Sequence, residues 1–189
     1  MVRVARRLAL VIAFLSAACS EPPNKEMNLA QGAIEAARAA GAERFATAEL
    51  TAAVDTLKKS NEAAASNDYR QALNHALDSF ERAQNAAKVA VEGRANARGE
   101  AERAVAQVAT LLATAETQIK ASPLPARNLA APRQTIDAAA KALQEARAAL
   151  QKEDYLAVGP ALEGVAAGLQ AALTQIDKPA APAPARRKR

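Results

Sequence analysis

The residue best placed to do chemistry is Cys19, the single cysteine among 189 residues. A lone thiol can close no internal disulfide and can build no cysteine zinc cluster. Its position is what distinguishes it. Arg3, Arg6 and Arg7 open the chain, an apolar run follows from Leu8 to Ala18, and the cysteine stands directly after Ala17-Ala18. A run of eleven residues falls short of the roughly 20 that a helix needs to cross a hydrocarbon core, so residues 1–18 read as a signal peptide. Ser16 and Ala18 fit the small-residue pattern of an ordinary signal peptidase site, and a cut there makes Cys19 the first residue of the mature chain.

The other groups that could react are poorly arranged. His75, the only histidine, falls between the apolar positions Leu73 and Ala76 and is expected to face solvent. No serine or cysteine motif supplies it with a nucleophile. Glu100 and Glu102 are two apart, and residues so spaced on a helix point in different directions. Gly93 and Gly99 lie inside helical pattern, without the strand that a phosphate-binding glycine loop requires. No catalytic residue, metal site or cofactor site is assigned. One charged cluster remains, Arg186-Arg187-Lys188-Arg189 at the end of the sequence. It reads as a solvated tail or as a contact to anionic cell-wall or lipid phosphates.

Helices must carry these groups. Pro22-Pro23 keeps residues 19–25 as a short tether. From about Glu26, Ala30, Ala33, Ile34 and Ala37 share a face until Gly41. Thr47 is expected to cap a second helix with the seam Leu50, Ala53, Leu57, Ser60 and Ala64. Asp68 caps a third helix with Gln71 in capping-box position. That helix is expected to run to Ser122 on the seam Leu73, Ala76, Phe80, Ala83, Ala87, Ala90, Ala97, Ala101, Ala104, Val108, Leu111 and Ala115, with a bend or fray near 93–99 at the two glycines. Ser122-Pro123-Leu124-Pro125 ends it. A fourth helix begins between Asn128 and Pro132, with Ile136, Ala139, Leu143, Ala146 and Leu150 on its seam. A fifth follows Asp154 on Tyr155, Val158, Leu162, Val165, Leu169, Ala172 and Ile176, kinked or delayed at Gly159-Pro160. The expected fold is therefore all-α: elongated antiparallel helical hairpins in a coiled-coil-like bundle. A first unit covers 26–122, a second hairpin covers 126–177, and a disordered Pro/Ala-rich basic tail covers 178–189.

An internal repeat ties these helices together. Superposing Asn67-Asp68-Tyr69 on Glu153-Asp154-Tyr155, an offset of 86, also aligns Leu50 with Ile136, Leu57 with Leu143 and Ala64 with Leu150. Two helix-turn-helix units are expected, each entering its second helix through an Asp-Tyr turn.

Composition narrows the function classes. Alanine supplies 54 of the 189 residues, which favours helix but buries little area per residue. Beyond the signal only Phe45, Tyr69, Phe80 and Tyr155 are aromatic, so a deep apolar ligand pocket is not expected. The net charge of +5 comes from the ends: three arginines before Cys19 and five basic residues after Asp177 leave seventeen basic groups against twenty acidic ones between. Basic and acidic residues interleave there, without the basic stripe of a nucleic-acid-binding surface.

The segment around Cys19 resembles a bacterial lipoprotein signal, in which the cysteine is lipidated and becomes the first residue. Residues 28–92, through Gly41-Ala42, Phe45-Ala46-Thr47-Ala48-Glu49-Leu50, Leu57, Asn67-Asp68-Tyr69 and Ala72, resemble an alanine-rich helical domain of unknown function found in bacterial envelope lipoproteins. These resemblances imply acyl chains, palmitate among them, on Cys19. By resemblance to Gram-negative lipoproteins, Ser20 implies an outer-membrane location facing the periplasm. The expected role is a non-enzymatic spacer or protein-binding scaffold, with peptidoglycan, envelope proteins or a second copy as partners and no nucleic acid. A secreted helical binding protein without lipid, and an accessory subunit of an envelope enzyme, are the alternatives.

Overall fold

The structure, a computed structural model, describes residues 21–177; Cys19 and the basic tail at 178–189 lie outside the described residues. The described residues are all-α. The helices are α1 (Asn24–Ala39), α2 (Ala42–Phe45), α3 (Thr47–Ala65), α4 (Tyr69–Ala121), α5 (Ala126–Gln151), α6 (Tyr155–Ala161) and α7 (Val165–Ile176). They fall into two compact units that divide inside α4, between Gly93 and Arg94. The sequence places the division at the proline-rich loop 122–126, whereas the contacts place it in mid-helix.

In the first unit α1 and α2 pack on α3. Its core is a cluster of small and branched side chains, including Ala30, Ile34, Ala37, Leu50, Ala53, Leu57, Ala83, Ala86 and Ala90. Alanine at so many contacts lets helix backbones approach closely, and two buried serines use that closeness. Ser60 Oγ donates to the carbonyl of Ala72 at 2.7 Å, and Ser79 Oγ donates to the carbonyl of Ala53 at 2.8 Å. Each helix of the α3–α4 pair thus lends one hydroxyl to the backbone of the other, at full burial of both serines. A buried hydroxyl left without a partner would cost about 1–3 kcal/mol, so these positions tie register to hydrogen bonding.

The seam of α4 in this unit differs from expectation in one of its two rows. Ala76, Ala83 and Ala90 are buried as expected, but the partner row is Ala72, Ser79 and Ala86, one residue before Leu73, Phe80 and Ala87, which are only partly buried. Farther along, Leu112 replaces Leu111 and Ala104 is only partly buried, while Ala101, Val108 and Ala115 hold their places. The cause is that the closest helix contacts take the smallest side chains.

Three further boundaries depart from expectation. Thr47 does not cap α3: its hydroxyl donates back to the Glu43 carbonyl at 2.9 Å, and Ala46 is the cap residue. The helix α5 begins at Ala126, before Asn128, and carries Pro132 inside it, fully buried on the seam. The last helix is two helices. Pro160 is accommodated within α6, and the break falls after Ala161, where Gly164 takes φ 71° as the cap of α7. A left-handed cap conformation strains any side chain, so the glycine after the break, not the proline before it, sets where the chain turns.

Of the bend or fray expected at 93–99, a fray is absent: α4 runs unbroken from Tyr69 to Ala121. Gly93 has a contact reason to be glycine: a Cβ there would stand 3.0 Å from the Phe45 carbonyl oxygen and 3.2 Å from Phe45 Cβ. At Gly99 a Cβ would meet nothing within 4 Å.

In the second unit α5 packs along both α6 and α7. The seam Ile136, Ala139, Leu143 and Ala146 is buried as read, with Leu150 only partly so. Tyr155, Val158, Leu162, Leu169, Ala172 and Ile176 bury the facing side, and Val165 is partly exposed.

Candidate functional site

The two hairpin turns are the features the sequence repeat singles out, and the backbone repeats with it. Asn67 and Glu153 are the only non-glycine residues with positive φ among the described residues, at 59° and 58°. The amide of Asp68 donates to the Ala63 carbonyl at 2.9 Å, and the amide of Asp154 donates to the Ala149 carbonyl at 2.9 Å. Asn67 and Glu153 likewise reach the carbonyls of Ala64 and Leu150, each at 3.0 Å. These paired bonds are the Schellman ending of a helix, formed twice. After the first turn, Asp68 accepts the Gln71 amide at 3.1 Å and the Gln71 side chain at 3.0 Å, the expected capping pair, and Tyr69 Oη donates to Asn67 Oδ1 at 2.8 Å.

The second turn carries a charge cluster that the sequence did not single out. Arg94 donates to Glu153 across 59 residues. Arg98 donates through Nε to Glu102 at 2.7 Å, and that bond, with the charges of Glu102, Tyr155 and Glu153, holds its guanidinium above the usual arginine range. Arg98 therefore stays charged at every physiological pH. The Arg94–Glu153 pair fastens the turn at Glu153 to the start of this unit's part of α4.

The remaining candidates are quickly placed. His75 is half-buried rather than fully solvent-facing, and Glu100 and Glu102 are both exposed. No group of three or more metal-ligating side chains occurs among the described residues. A shallow hollow runs along α4 at Ala109, Thr110, Ala113, Thr114, Thr117 and Gln118. The hydroxyls of Thr110, Thr114 and Thr117 all donate to carbonyls one turn back. Gln118 Oε1 is buried there without a hydrogen-bond partner. The lining carries no charged side chain.

One stretch has a different character. Tyr155–Ile176 is the one stretch among the described residues long and apolar enough to cross a membrane, with a mean hydropathy of 1.4. The sequence reading assigned it only a packing seam. No family model, curated protein or solved structure matches the chain.

Proposed function

We propose that the protein is a non-enzymatic lipoprotein of the bacterial envelope, anchored by acyl chains on Cys19, whose helical units serve as a periplasmic spacer or protein-binding scaffold. The observation that carries the reading is the placement of Cys19 at the end of a signal-like segment and five residues before α1 begins at Asn24. Five residues span at most about 18 Å, so an anchor at Cys19 would hold the first helical unit near the bilayer. The repeated hairpin supports a scaffold, since it multiplies surface without building a reaction site. The basic cluster Arg186, Arg187, Lys188 and Arg189 is suited to an anionic envelope surface, cell wall included.

Fractionation of cells producing Cys19→Ser tests the anchor. The substituted protein is expected in the soluble fraction and the parent in the membrane fraction. Equal membrane retention of both would remove lipid on Cys19 as the anchor.

A further inference from the structure

We infer that the outward face of α6 and α7, continued by the basic residues that follow it, docks on an anionic lipid bilayer. This deepens the envelope reading by naming the surface that the carboxyl end contacts. At the offset of 86, Tyr155–Ile176 corresponds to Tyr69–Ala90 of α4, and five buried positions coincide: Ala72 with Val158, Ala76 with Leu162, Ala83 with Leu169, Ala86 with Ala172 and Ala90 with Ile176. The outward positions do not. The α4 stretch carries Arg70, Asp78, Glu81, Arg82 and Lys88, whereas α6 and α7 with their linking turn carry Glu163 as their one charged residue. The same helical role is thus filled once with a face of five charged residues and once with a face whose single charge is Glu163, on which Leu156 is 47% exposed and Pro160, Ala167 and Ala171 also face out beside Gln170, Thr174 and Gln175.

What covers such a face is indicated by the residues joined to it. After Asp177 the chain has no acidic residue and five basic ones, Lys178, Arg186, Arg187, Lys188 and Arg189. A helix face with a single charged residue, followed in sequence by a block of positive charge, is a combination suited to an anionic bilayer interface, because area burial and attraction to headgroup phosphates add. A cell-wall polymer would match the charge but give the helix face nothing. Because Val158, Leu169 and Ile176 are buried and α5 packs along both helices, the segment can lie along a bilayer with its seam intact. Crossing one would require releasing that seam.

The test uses the chain from residue 19 onward with Cys19→Ser, which holds every described residue and no lipid. It is sedimented with vesicles of phosphatidylglycerol and phosphatidylcholine, and with vesicles of phosphatidylcholine alone. Binding is expected to the anionic vesicles only. It should fall at least tenfold with Ala167→Glu plus Ala171→Glu, and again on removal of residues 178–189, with Asn85→Glu, on the corresponding face of the first unit, without effect. Should the double variant lose helicity, Leu156→Glu replaces it at a position that packs less. Binding unchanged by the face variants, or equal on neutral vesicles, would overturn the inference. So would a face variant that turns a dimer of the protein alone into a monomer, since the occupant would then be a second copy. Cys19 carries no lipid in this experiment, so its failure leaves the anchor untouched, and failure of the anchor leaves this binding measurable.

Discussion

Asn67 and Glu153 hold the same left-handed backbone conformation, 59° and 58° in φ, at the same step of two hairpins 86 residues apart. Asparagine tolerates that conformation because its short side chain bonds locally; here Asn67 accepts from Tyr69 at 2.8 Å. Glutamate has no such relief, and its carboxylate instead pairs with Arg94. Both partners of that pair are about half exposed, so it contributes no more than about 1 kcal/mol, less in salt. A left-handed non-glycine residue costs about 1–2 kcal/mol. Glu153→Gly is therefore expected to leave stability near parity at low salt and to raise it at high salt, by urea unfolding at the two ionic strengths. A loss that persists at high salt would show that the turn depends on the Glu153 side chain in some way other than charge.

Gly93 and Gly99 sit six residues apart in one helix and are expected to respond oppositely to alanine. At Gly99 the new methyl meets open space, so Gly99→Ala should gain up to about 1 kcal/mol from helix propensity. At Gly93 it would press on the Phe45 backbone, and Gly93→Ala should cost about 1–3 kcal/mol despite the same propensity gain. Thermal unfolding of the two variants beside the parent checks the pair. Two stabilised variants would mean that Phe45 yields freely.

Ser60→Ala and Ser79→Ala each remove one helix-to-helix hydrogen bond while the carbonyl left behind keeps its own helical donor. Each should cost about 0.5–1.5 kcal/mol, readable from the shift of the urea midpoint. Ser79→Val should cost more, because the position has no exposure and no room for a larger side chain.

Leu57 and Leu143 occupy one position of the repeat, 7% and 3% exposed. Replacing either by alanine should cost about 2–5 kcal/mol, with the unfolding of the two units compared by hydrogen exchange. Exchange that quickens only in the unit carrying the substitution is the expected pattern; indifference to both would contradict the buried seam.

How far the sequence could be read depended on side-chain size. In the second unit the seam carries Ile136, Leu143, Leu162 and Leu169, large residues whose spacing marks the buried face, and that face was read correctly. In α4 the buried row Ala72, Ser79, Ala86 was passed over for Leu73, Phe80 and Ala87, because apolar size is a poor guide where helices meet at alanine distance and a serine can bury itself on a neighbouring carbonyl. The repeat was visible because the Asp-Tyr turns keep the only two tyrosines. Gly93 could be understood only with Phe45 beside it, a contact between residues 48 apart. Gly164 was overshadowed by Pro160, although a left-handed cap breaks a helix where a proline in its first turns need not. Arg94 and its partner Glu153 are 59 residues apart, and no local pattern connects them.

The anchor on Cys19 is decided by the mass of the intact amino terminus. Protein extracted from membranes with detergent is expected to begin at Cys19 and to carry a diacylglyceryl group on the thiol with a further acyl chain on the amine. Three chains make release from the membrane negligible, where one would give only reversible binding. An amino-terminal peptide beginning at Cys19 with an unmodified thiol, or one that still contains residues 1–18, would contradict the account.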